Sequence, residues 1–407
     1  MVDGIITGQF SDSYFPIVDG VSVTISNYLS ELNRTLGPSY VVAPGAPGYT
    51  DQPSAGTYRF FSLPLINRPP YRLALPQLDV SLHRVLRNLH FDLLHAHSPF
   101  LAGRYALRLA RQRGIPLVAT FHSKYRDKLE NIVPWPHLVE REVQRISEFY
   151  ASADEVWVPT ENALETLREY GYMGPAAVVR HGIDFDPPSD RASLRRQGED
   201  FLGVDPQDFL FLYVGDHAWE KNLVLLIQAL SLLRTRGGRF KMAFVGEGYA
   251  AKALRSMTAG SAIAGDTIFT GLLRDRQNLS ACYARADIFL FPSLYDTCGL
   301  VVKEAAAFGI PSLLVEGSAA AEEVVDGVNG FTCNNSVQAY AYKLMEILDH
   351  PKSIKRAGEG ARRTLYLSWR DAVREVRYRY LSLLRRTTPV LAPAAPKHQK
   401  EYEEVYR

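Results

Sequence analysis

The segment IFLFPSLYDTCGLVVKEAAAFGIPSLLVE, residues 288–316, carries the clearest signal of the fold. Two very apolar segments, each long enough for a short strand, flank a loop that carries Asp296 and Gly299 and a helix-like segment. Near-continuous apolar strands are typical of parallel sheets whose two faces are both covered by helices. The stretch therefore predicts one strand–helix–strand unit of an α/β domain.

Strand-like and helix-like segments alternate in the same way along the rest of the chain, in two successive series. The first series predicts strands near 2–7 and at 39–43, 59–63, 91–96, 116–121, 155–159 and 176–181. The second predicts strands at 209–215, 240–246, 267–271, 288–293 and 311–316. A proline- and charge-rich segment separates the series, which indicates two doubly wound domains that face each other across a cleft. We place the first domain at 1–185 and the second at 186–369. A long basic helix follows at about 370–388, and a terminal tail at 389–407.

Bulk composition narrows the possible functions. The chain has 407 residues, of which 46% are hydrophobic and 22% charged, as expected of two globular domains. A formal net charge of +2 argues against a dedicated nucleic-acid-binding protein. Three cysteines without metal-site spacing, no apolar run long enough to span a membrane and no signal peptide in MVDGIITGQF predict a cytoplasmic protein with reduced thiols.

Two short patterns are compatible with a cofactor or a metal ion, and neither is the favoured interpretation. FVGEGYAA, residues 244–251, matches the G-x-G-x-x-A pattern of dinucleotide-binding proteins. That pattern also requires an acid at the end of the next strand, which ends here in Thr270 and Gly271, so a tight turn explains the glycines better. Asp184 and Asp186 could hold a divalent cation, but two solvated acids in a linker are favoured.

Polar side chains at the ends of predicted strands are candidates for a ligand cleft, because doubly wound domains bind ligands at the carboxyl ends of their strands. His122 follows the apolar strand at 116–121, and Lys221 precedes a helix, where a lysine can neutralise phosphate charge. His95 and His97 lie two positions apart, but no third metal ligand is near them in the sequence. We expect one buried, hydrogen-bonded histidine and one that faces the cleft.

The loop within residues 288–316 offers a different kind of site. Gly299 allows the backbone to approach a ligand closely, and a helix that begins near Leu300 presents free amides and a positive dipole end to an anion. Glu304 then lies one turn into the helix, within reach of a sugar hydroxyl. An acidic helix start without any ligand explains the same residues equally well at this point.

Together these segments resemble the retaining glycosyltransferases of family 4, which have the GT-B fold of two facing Rossmann-like domains. The E-x7-E motif of that family is matched by DTCGLVVKEAAAFGIP at 296–311. Segments similar to other parts of the family cover nearly the whole chain, at 14–32, 95–103, 120–125, 181–186, 220–222, 246–248, 269–273 and 368–383. The resemblance implies that the last of these forms a helix that crosses back to the first domain.

The resemblance implies a nucleotide diphosphate sugar as the donor, UDP-glucose by preference, and no metal or other cofactor. Asp296 would face the donor sugar, Lys221 would offset charge on the leaving phosphate, and His122 would touch the sugar. Asp296 stands where the family usually has glutamate, and Asp216 stands where it usually has arginine. Phosphate neutralisation therefore depends more heavily on Lys221 in this chain.

The remaining donor contacts are also implied by the resemblance. Glu304 would bind the ribose hydroxyls, and Gly20 would give the donor phosphate close access to the backbone. The diphosphate would lie at the amides of the helix start, and the base would lie at the backbone after the strand at 267–271. The residues that would bind the donor, besides Lys221 and Asp296, are Gly20, Leu272, Leu273, Gly299, Leu300, Val301 and Glu304.

The acceptor side is less specific. SYFPIVDGV, HAHSPFLAG and HSKY most resemble the bacterial diacylglycerol glucosyltransferase branch, which implies transfer to a membrane lipid. Residues 59–128 contain twelve Lys and Arg against three acids, as in an enzyme that binds peripherally to the anionic inner face of the cell membrane. A solvated basic face explains this segment equally well. The acceptor or membrane residues implied are Tyr14, Arg84, Arg87, Arg108 and Tyr125.

Several other functions stay open on the sequence. A soluble acceptor, such as a sugar phosphate, a polysaccharide or a small molecule, would use the same donor site. A nucleotide-sugar epimerase would convert the donor without any acceptor, and a nicotinamide-dependent oxidoreductase would bind that cofactor. A non-catalytic sensor would bind UDP and release none.

Overall fold

The computed structural model describes residues 4–51, 56–65, 72–130, 133–296 and 298–387. Within these ranges the apolar strands form two parallel sheets, each flanked by helices, which confirms the predicted α/β architecture of two doubly wound halves. Most strand residues of the two sheets are buried, because both faces of each sheet are covered, and the partly buried ones lie mainly on the edge strands. Among the described helices, none is both long and apolar enough to cross a membrane.

The described part of the first half contains a parallel sheet and a small hairpin. Its strands are β1 (Thr7–Phe10), β2 (Ser39–Pro44), β3 (Thr57–Phe60), β4 (Ser62–Pro64), β5 (Arg72–Ala74), β6 (Leu93–Ala96), β7 (Leu117–Thr120), β8 (Glu155–Val158) and β9 (Ala177–Val178). The parallel order is β3-β2-β1-β6-β7-β8-β9, and β4 pairs with β5 as an antiparallel hairpin. The helices are α1 (Gly20–Thr35), α2 (Val80–Asn88), α3 (Leu101–Arg113), α4 (Tyr125–Glu130), α5 (Pro136–Ala151) and α6 (Glu161–Glu169).

The second half repeats the plan with a six-stranded parallel sheet. Its strands are β10 (Leu210–Val214), β11 (Lys241–Val245), β12 (Thr267–Gly271), β13 (Ile288–Phe291), β14 (Ser312–Val315) and β15 (Phe331–Cys333), in the order β12-β11-β10-β13-β14-β15. Its helices are α7 (Arg191–Leu202), α8 (Leu223–Thr235), α9 (Ala251–Ala259), α10 (Arg276–Arg285), α11 (Leu300–Ala307), α12 (Val337–Asp349) and α13 (Pro351–Thr364). The predicted boundary at 185/186 falls between β9 and α7.

A last helix, α14 (Trp369–Thr387), returns to the first half. Its buried face includes Val376 and Tyr380, which belong to one apolar cluster with Leu93 of β6 and Trp157 of β8. The rings of Trp157 and Tyr380 stack with their centroids 5.4 Å apart. The predicted crossing of this helix back to the first domain is therefore confirmed. The predicted tail at 389–407 lies outside the described residues.

Three predicted strands differ from those observed by more than small shifts of their ends. Residues 2 and 3 of the strand expected near 2–7 lie outside the described residues. In the described part the strand begins at Thr7, because the backbone N–H of Ile6 donates to the Asp92 carboxylate at 2.7 Å and joins no ladder. The strand expected at 59–63 is divided at Phe61, whose N–H donates to the Asp79 carboxylate at 2.8 Å. The chain leaves the parallel sheet there and enters the hairpin. Of the segment 176–181, only β9 is extended.

The apolar face predicted for the helix at 79–89 is only partly correct. Leu82 and Leu86 of α2 are buried, at 3% and 1% exposure. Val80 and Val85 are 70% and 40% exposed. A nine-residue helix that packs through one i, i+4 row leaves its neighbouring apolar positions in solvent.

Candidate functional site

A cavity of about 390 Å³ lies where the carboxyl ends of the two sheets meet. Both halves of the chain line it, in agreement with the rule that doubly wound domains bind ligands at this end of their strands. The lining residues are Asp19, Gly20, Val21, His122, Ser123, Lys124, His181, Val214, Gly215, Asp216, Lys221, Phe291, Tyr295, Asp296, Cys298, Gly299, Leu300 and Val301. The structure thus brings together seven of the predicted site residues, which are Gly20, His122, Lys221, Asp296, Gly299, Leu300 and Val301.

An ion pair occupies the second-half wall of the cavity. The Lys221 ammonium donates to Asp296, with 2.5 Å between Nζ and Oδ1. Lys221 stands at the entry to α8, where Asn222 anchors the turn by donating to the carbonyl of Pro292 at 3.2 Å. The other carboxylate oxygen of Asp296, Oδ2, is buried and has no hydrogen-bond partner among the described residues. The pair therefore leaves one strong acceptor unsatisfied.

The start of α11 lies on the same wall and is open to an anion. Gly299 has φ +57°, and a Cβ at this position would lie 2.7 Å from the Cβ of Ala320. Glycine is required because it adopts this conformation and leaves this space. No side chain of the described residues caps the helix. The amides of Leu300 and Val301 thus lie at the cavity with the positive end of the helix dipole.

The start of α1 forms the facing wall and is already capped. The Asp19 carboxylate accepts from the backbone N–H of Ser22 at 2.8 Å, and the Ser22 hydroxyl oxygen accepts from the Asp19 N–H at 2.9 Å. The Ser13 hydroxyl also donates to Asp19, at 2.8 Å. A Cβ added at Gly20 would meet no atom within 4 Å. This glycine therefore leaves room for a ligand beside a capped helix.

Four histidines stack in a row that ends at the cavity. His122 and His181 line the cavity, and His95 and His97 lie behind them with 0% and 1% exposure. Ring centroids along the row are 4.0 Å apart for His95 and His97, 5.2 Å for His97 and His122, and 5.3 Å for His122 and His181. The expectation that one of His95 and His97 faces the cleft is wrong, because both are buried. His95 hydrogen bonds to Tyr380 of the returning helix, and His97 lies behind His122.

Burial lowers the pKa of each of these four histidines, and their mutual repulsion as cations lowers it further in His95, His97 and His122. The pKa of His181 is lowered to about 3, by burial first and by Lys303 second. The row is therefore neutral at neutral pH. His122 contributes hydrogen bonding and ring surface to the cavity, and the cationic charge of the lining comes from Lys124 and Lys221.

Three predicted donor residues do not line this cavity. The Glu304 carboxylate accepts from the Tyr283 hydroxyl at 2.8 Å, and burial raises its pKa. Leu272 is 60% exposed and Leu273 is half-buried, both on the loop after the edge strand β12. Their roles in ribose and base binding stay predictions.

The predicted acceptor residues are dispersed. Tyr14 lines a second cavity of about 190 Å³ in the first half, together with Arg59 and Arg72. Tyr125 is 6% exposed and packs in the core against the rings of Phe100 and Phe121. The other three predicted residues are exposed on α2 and α3; they are Arg84, Arg87 and Arg108.

The patterns that suggested a cofactor or a metal ion have structural explanations. A Cβ at Gly246 would lie 2.0 Å from the carbonyl oxygen of Gly215, and one at Gly248 would lie 2.4 Å from that of His217. These glycines let the loops after β10 and β11 pack together, as the tight-turn interpretation predicts. Asp184 pairs with Arg276, and Asp186 accepts from Tyr366. In the part of the chain that the structure describes, no group of three or more His, Cys, Asp or Glu side chains could hold a metal ion.

Sequence reasoning missed several lining residues whose signals were present. Lys124 stands two positions after His122 in TFHSKY, and His181 opens HGIDFD. Asp19 immediately precedes Gly20 and is followed three positions later by Ser22, as in a capping box. Only the fold shows that these segments, far apart in the sequence, meet at one cavity.

Comparison with known proteins identifies the family. The family model described as Glycosyltransferase Family 4 matches residues 18–187, and the model described as Glycosyl transferases group 1 matches residues 196–364. The chain is 26% identical to a GDP-mannose-dependent alpha-mannosyltransferase of Corynebacterium glutamicum, over 86% of this chain and 78% of that protein. It is 23% identical to the alpha-monoglucosyldiacylglycerol synthase of Acholeplasma laidlawii, over 87% of this chain and 91% of that protein.

Solved structures share the fold. HepE of Anabaena, solved in complex with UDP, has a TM-score of 0.71 and 19% identity, and the match covers 94% of this chain and 100% of that chain. The two family models adjoin each other and together match most of the sequence. The chain therefore belongs to the family 4 glycosyltransferases, enzymes with the GT-B fold that transfer a sugar from a nucleotide sugar.

Proposed function

We propose that this protein is a retaining glucosyltransferase that moves glucose from UDP-glucose to a hydroxyl of a membrane lipid such as diacylglycerol, and that it needs no metal ion. The observation that carries the proposal is the presence of Lys221 and the uncapped start of α11 on one wall of the cavity. An ammonium group and a helix N-terminus both attract the diphosphate of such a donor. HepE, which has the same fold, was solved with UDP.

The proposed chemistry places charge where these groups lie. Breaking the bond between the anomeric carbon and the donor phosphate puts negative charge on the departing UDP and positive charge on the sugar ring. Lys221 and the amides of Leu300 and Val301 stabilise the negative charge, and the Asp296 carboxylate faces the positive one. The acceptor hydroxyl attacks from the face that UDP leaves and gives its proton to the leaving phosphate, so the anomeric configuration is retained.

The ion pair between Lys221 and Asp296 fits a site that is completed by its donor. Without a donor, the ammonium is neutralised by the carboxylate at 2.5 Å. A donor phosphate would share the ammonium, and a sugar hydroxyl would donate to the buried and unpartnered Oδ2 of Asp296.

The proposed lipid acceptor is supported by a surface of the first half, which we call the hairpin surface and define as residues 61–65 and 72–88, comprising β4, β5 and α2. Leu63 lies opposite Leu73 in the hairpin, and the hydrogen bond between Phe61 and Asp79 joins the hairpin to α2. Its exposed large apolar residues are Phe61, Leu63, Leu65, Leu73, Leu78, Val80 and Val85. Exposed apolar groups beside arginines are typical of proteins that lie on anionic membranes.

The arginines of this surface are Arg84 and Arg87, both exposed on α2. Helix α3, which carries the exposed Arg108, lies next to α2. The guanidinium of Arg113 on α3 donates to the carbonyl of Leu89, at the end of α2, at 2.7 Å. The relative from Acholeplasma laidlawii, named a monoglucosyldiacylglycerol synthase, supports a lipid acceptor. The relative named a GDP-mannose-dependent mannosyltransferase makes GDP-mannose the second donor to test.

The decisive experiment incubates the protein with UDP-glucose, UDP-galactose or GDP-mannose and a total lipid extract, followed by mass spectrometry of the lipids. We expect a hexosyl lipid from UDP-glucose, formed with retention. Product only with soluble sugars would overturn the lipid assignment, and donor conversion without an acceptor would indicate an epimerase. Addition of EDTA should leave the rate unchanged.

A second experiment tests membrane binding by co-sedimentation with liposomes that contain anionic lipid at low salt. We expect the double variant R84E/R87E to lose most of the binding of the wild type. The double variant R362E/R363E, with two exposed arginines in the last turn of α13, is the matched control and should bind normally. Wild-type protein that stays in the supernatant would contradict the proposed membrane association.

A further inference from the structure

The row of histidines contains a hydrogen-bonded chain that starts at the centre of the first sheet. Gln9 of β1 lies at 0% exposure, and its Oε1 is 2.9 Å from Nε2 of His97. Nδ1 of His97 is in turn 3.0 Å from Nε2 of His122 at the cavity. The chain therefore connects a residue with no access to solvent to a ring that lines the site.

The chemistry of its first member fixes the direction of every hydrogen bond in this chain. An amide oxygen only accepts, so Nε2 of His97 must carry the hydrogen that it donates to Gln9. A neutral imidazole has a single N–H, so Nδ1 of His97 is a lone pair and accepts. The donor to that lone pair is then Nε2–H of His122. In this orientation the amide nitrogen of Gln9 faces the hydroxyls of Thr7, Ser39 and Tyr380 at 3.4 to 3.5 Å, which can accept from it.

The groups packed around the chain keep it neutral. His95 lies on one side of His97 at 4.0 Å, and the ring of Tyr28 lies 5.9 Å away on α1. His181 faces His122, and Lys303 acts on His181 from the second half. No carboxylate hydrogen bonds to any of the four rings within the described ranges, so burial is not offset by a counter-charge.

We propose that Gln9 and His97 are positioning residues that hold His122 as the neutral tautomer with hydrogen on Nε2. The effect of this tautomer on sugar transfer rests on the proposed function. His122 then brings no positive charge to the sugar, and its Nδ1 carries a lone pair that can accept a hydrogen bond. The ring accepts hydrogen bonds and cannot protonate the leaving phosphate, so the cationic charge at the phosphate comes from lysine and helix amides.

The substitution Gln9→Glu is expected to reverse this chain with almost no change in shape. A carboxylate beside Nε2 stabilises the imidazolium of His97, whose Nδ1–H would then donate to His122. His122 would have to accept at Nε2 and carry its hydrogen on Nδ1. Gln9→Met, which keeps the volume and removes the acceptor, should give a mixture of the two tautomers.

The test is nuclear magnetic resonance of the side-chain nitrogens in protein labelled with 15N-histidine, with His122 assigned from its absence in His122→Asn. We expect the Nε2–H tautomer in the wild type at pH 7 and the Nδ1–H tautomer in Gln9→Glu, with retained melting temperature. The transfer rate of Gln9→Glu should fall at least 10-fold at pH 7, and its pH profile should gain an ionisation.

Wild-type His122 with hydrogen on Nδ1, or His122 signals unchanged in Gln9→Glu, would overturn the proposal. If Gln9→Glu does not fold, the wild-type tautomer alone decides the matter. The proposed function fails separately, if the wild type shows the expected tautomer but releases no UDP from UDP-glucose. An active enzyme with the wrong tautomer would refute the positioning role and leave the proposed function intact.

Discussion

Two helices, α1 and α11, begin at the same cavity, and they present opposite electrostatic faces to it. The first turn of α1 is closed by Asp19, which brings a carboxylate to the positive end of that helix. The first turn of α11 follows Gly299 and has no side-chain cap among the described residues. An anionic ligand should therefore settle at α11, beside Lys221, while α1 contributes space at Gly20. The start of α11 can receive an anion because no side chain of the described residues caps it, whereas the start of α1 already holds the Asp19 carboxylate.

The largest effect on activity is expected from Lys221→Ala, which removes the ammonium beside the start of α11. Removing a preorganised group that stabilises developing negative charge typically costs about 10²–10³-fold in kcat, or ~3–4 kcal/mol. UDP release from UDP-glucose should fall by that factor. Lys343→Ala is a matched control, because Lys343 is also ion-paired, with Asp326 and Glu346, but does not line the cavity. Near-wild-type turnover of Lys221→Ala would show that α11 alone neutralises the phosphate.

The two glycines at the helix starts should respond differently to alanine. Gly299→Ala forces a left-handed backbone and a contact of 2.7 Å with Ala320, at an expected cost of about 1–2 kcal/mol of unfolding free energy. Gly20→Ala meets no atom within 4 Å and should leave stability within ~0.5 kcal/mol. Its methyl group should instead raise the KM for the donor several-fold. Chemical denaturation should detect the loss of unfolding free energy in Gly299→Ala, and donor titration should detect the raised KM in Gly20→Ala. A Gly299→Ala variant as stable as the wild type would contradict the tight packing of α11.

The folded protein should lose stability in acid because of the histidines in the first-half wall. The pKa of His181 is about 3 in the folded protein and about 6.5 in the unfolded chain, so the unfolded chain binds more protons between these values. Stability should therefore be complete above pH 6.5 and fall as the pH drops, with up to ~1.4 kcal/mol per pH unit from this residue. His181→Phe, which keeps a ring, should flatten the dependence of unfolding free energy on pH. His137→Phe, at an exposed position, should not.

The smallest effect is expected for Glu304→Gln in the second half. Burial raises the pKa of the Glu304 carboxyl, so the folded protein holds this proton to higher pH than the unfolded chain. Its contribution is complete below about pH 4.5 and is lost as the pH rises. The stability of Glu304→Gln relative to the wild type should therefore increase with pH, as measured by urea denaturation at pH 4 and pH 8. A constant difference would mean that Tyr283 and its surroundings compensate the charge.

The two walls also differ in how far sequence could predict them. Lys221 lies in the loop between β10 and α8, and Asp296 and Gly299 lie in the loop between β13 and α11. A strand–helix pattern therefore places them at the carboxyl end of a sheet. The second-half wall was predicted for this reason. The hydrogen bond between Glu304 and Tyr283 was not, because it depends on how α10 packs against α11.

The first-half wall was predicted only in part. His122 follows from its place at the end of a strand, whereas Gly20 was implied by the resemblance to the family 4 glycosyltransferases. The role of His97 did not follow, since the alternation of strand residues gives its face and not what covers that face. The predicted apolar face of α2 failed at Val80 and Val85 for a similar reason, because a helical pattern shows which positions are apolar and not how much of the row finds a partner.

The return of the last helix to the first half was implied only by the family resemblance. The sequence alone determined the two series of buried parallel strands, the helical pattern at 371–386 and the glycine that opens α11. These depend on apolar periodicity and on backbone conformation within a few residues. Only the tertiary structure decided that Nδ1 of His95 meets the hydroxyl of Tyr380, 285 positions away, at 2.6 Å, and that Gln9 reaches His122 through His97. Such contacts join buried polar groups that are far apart in the sequence. A buried polar group needs a hydrogen-bond partner, and only the packing of the fold determines which group lies within reach.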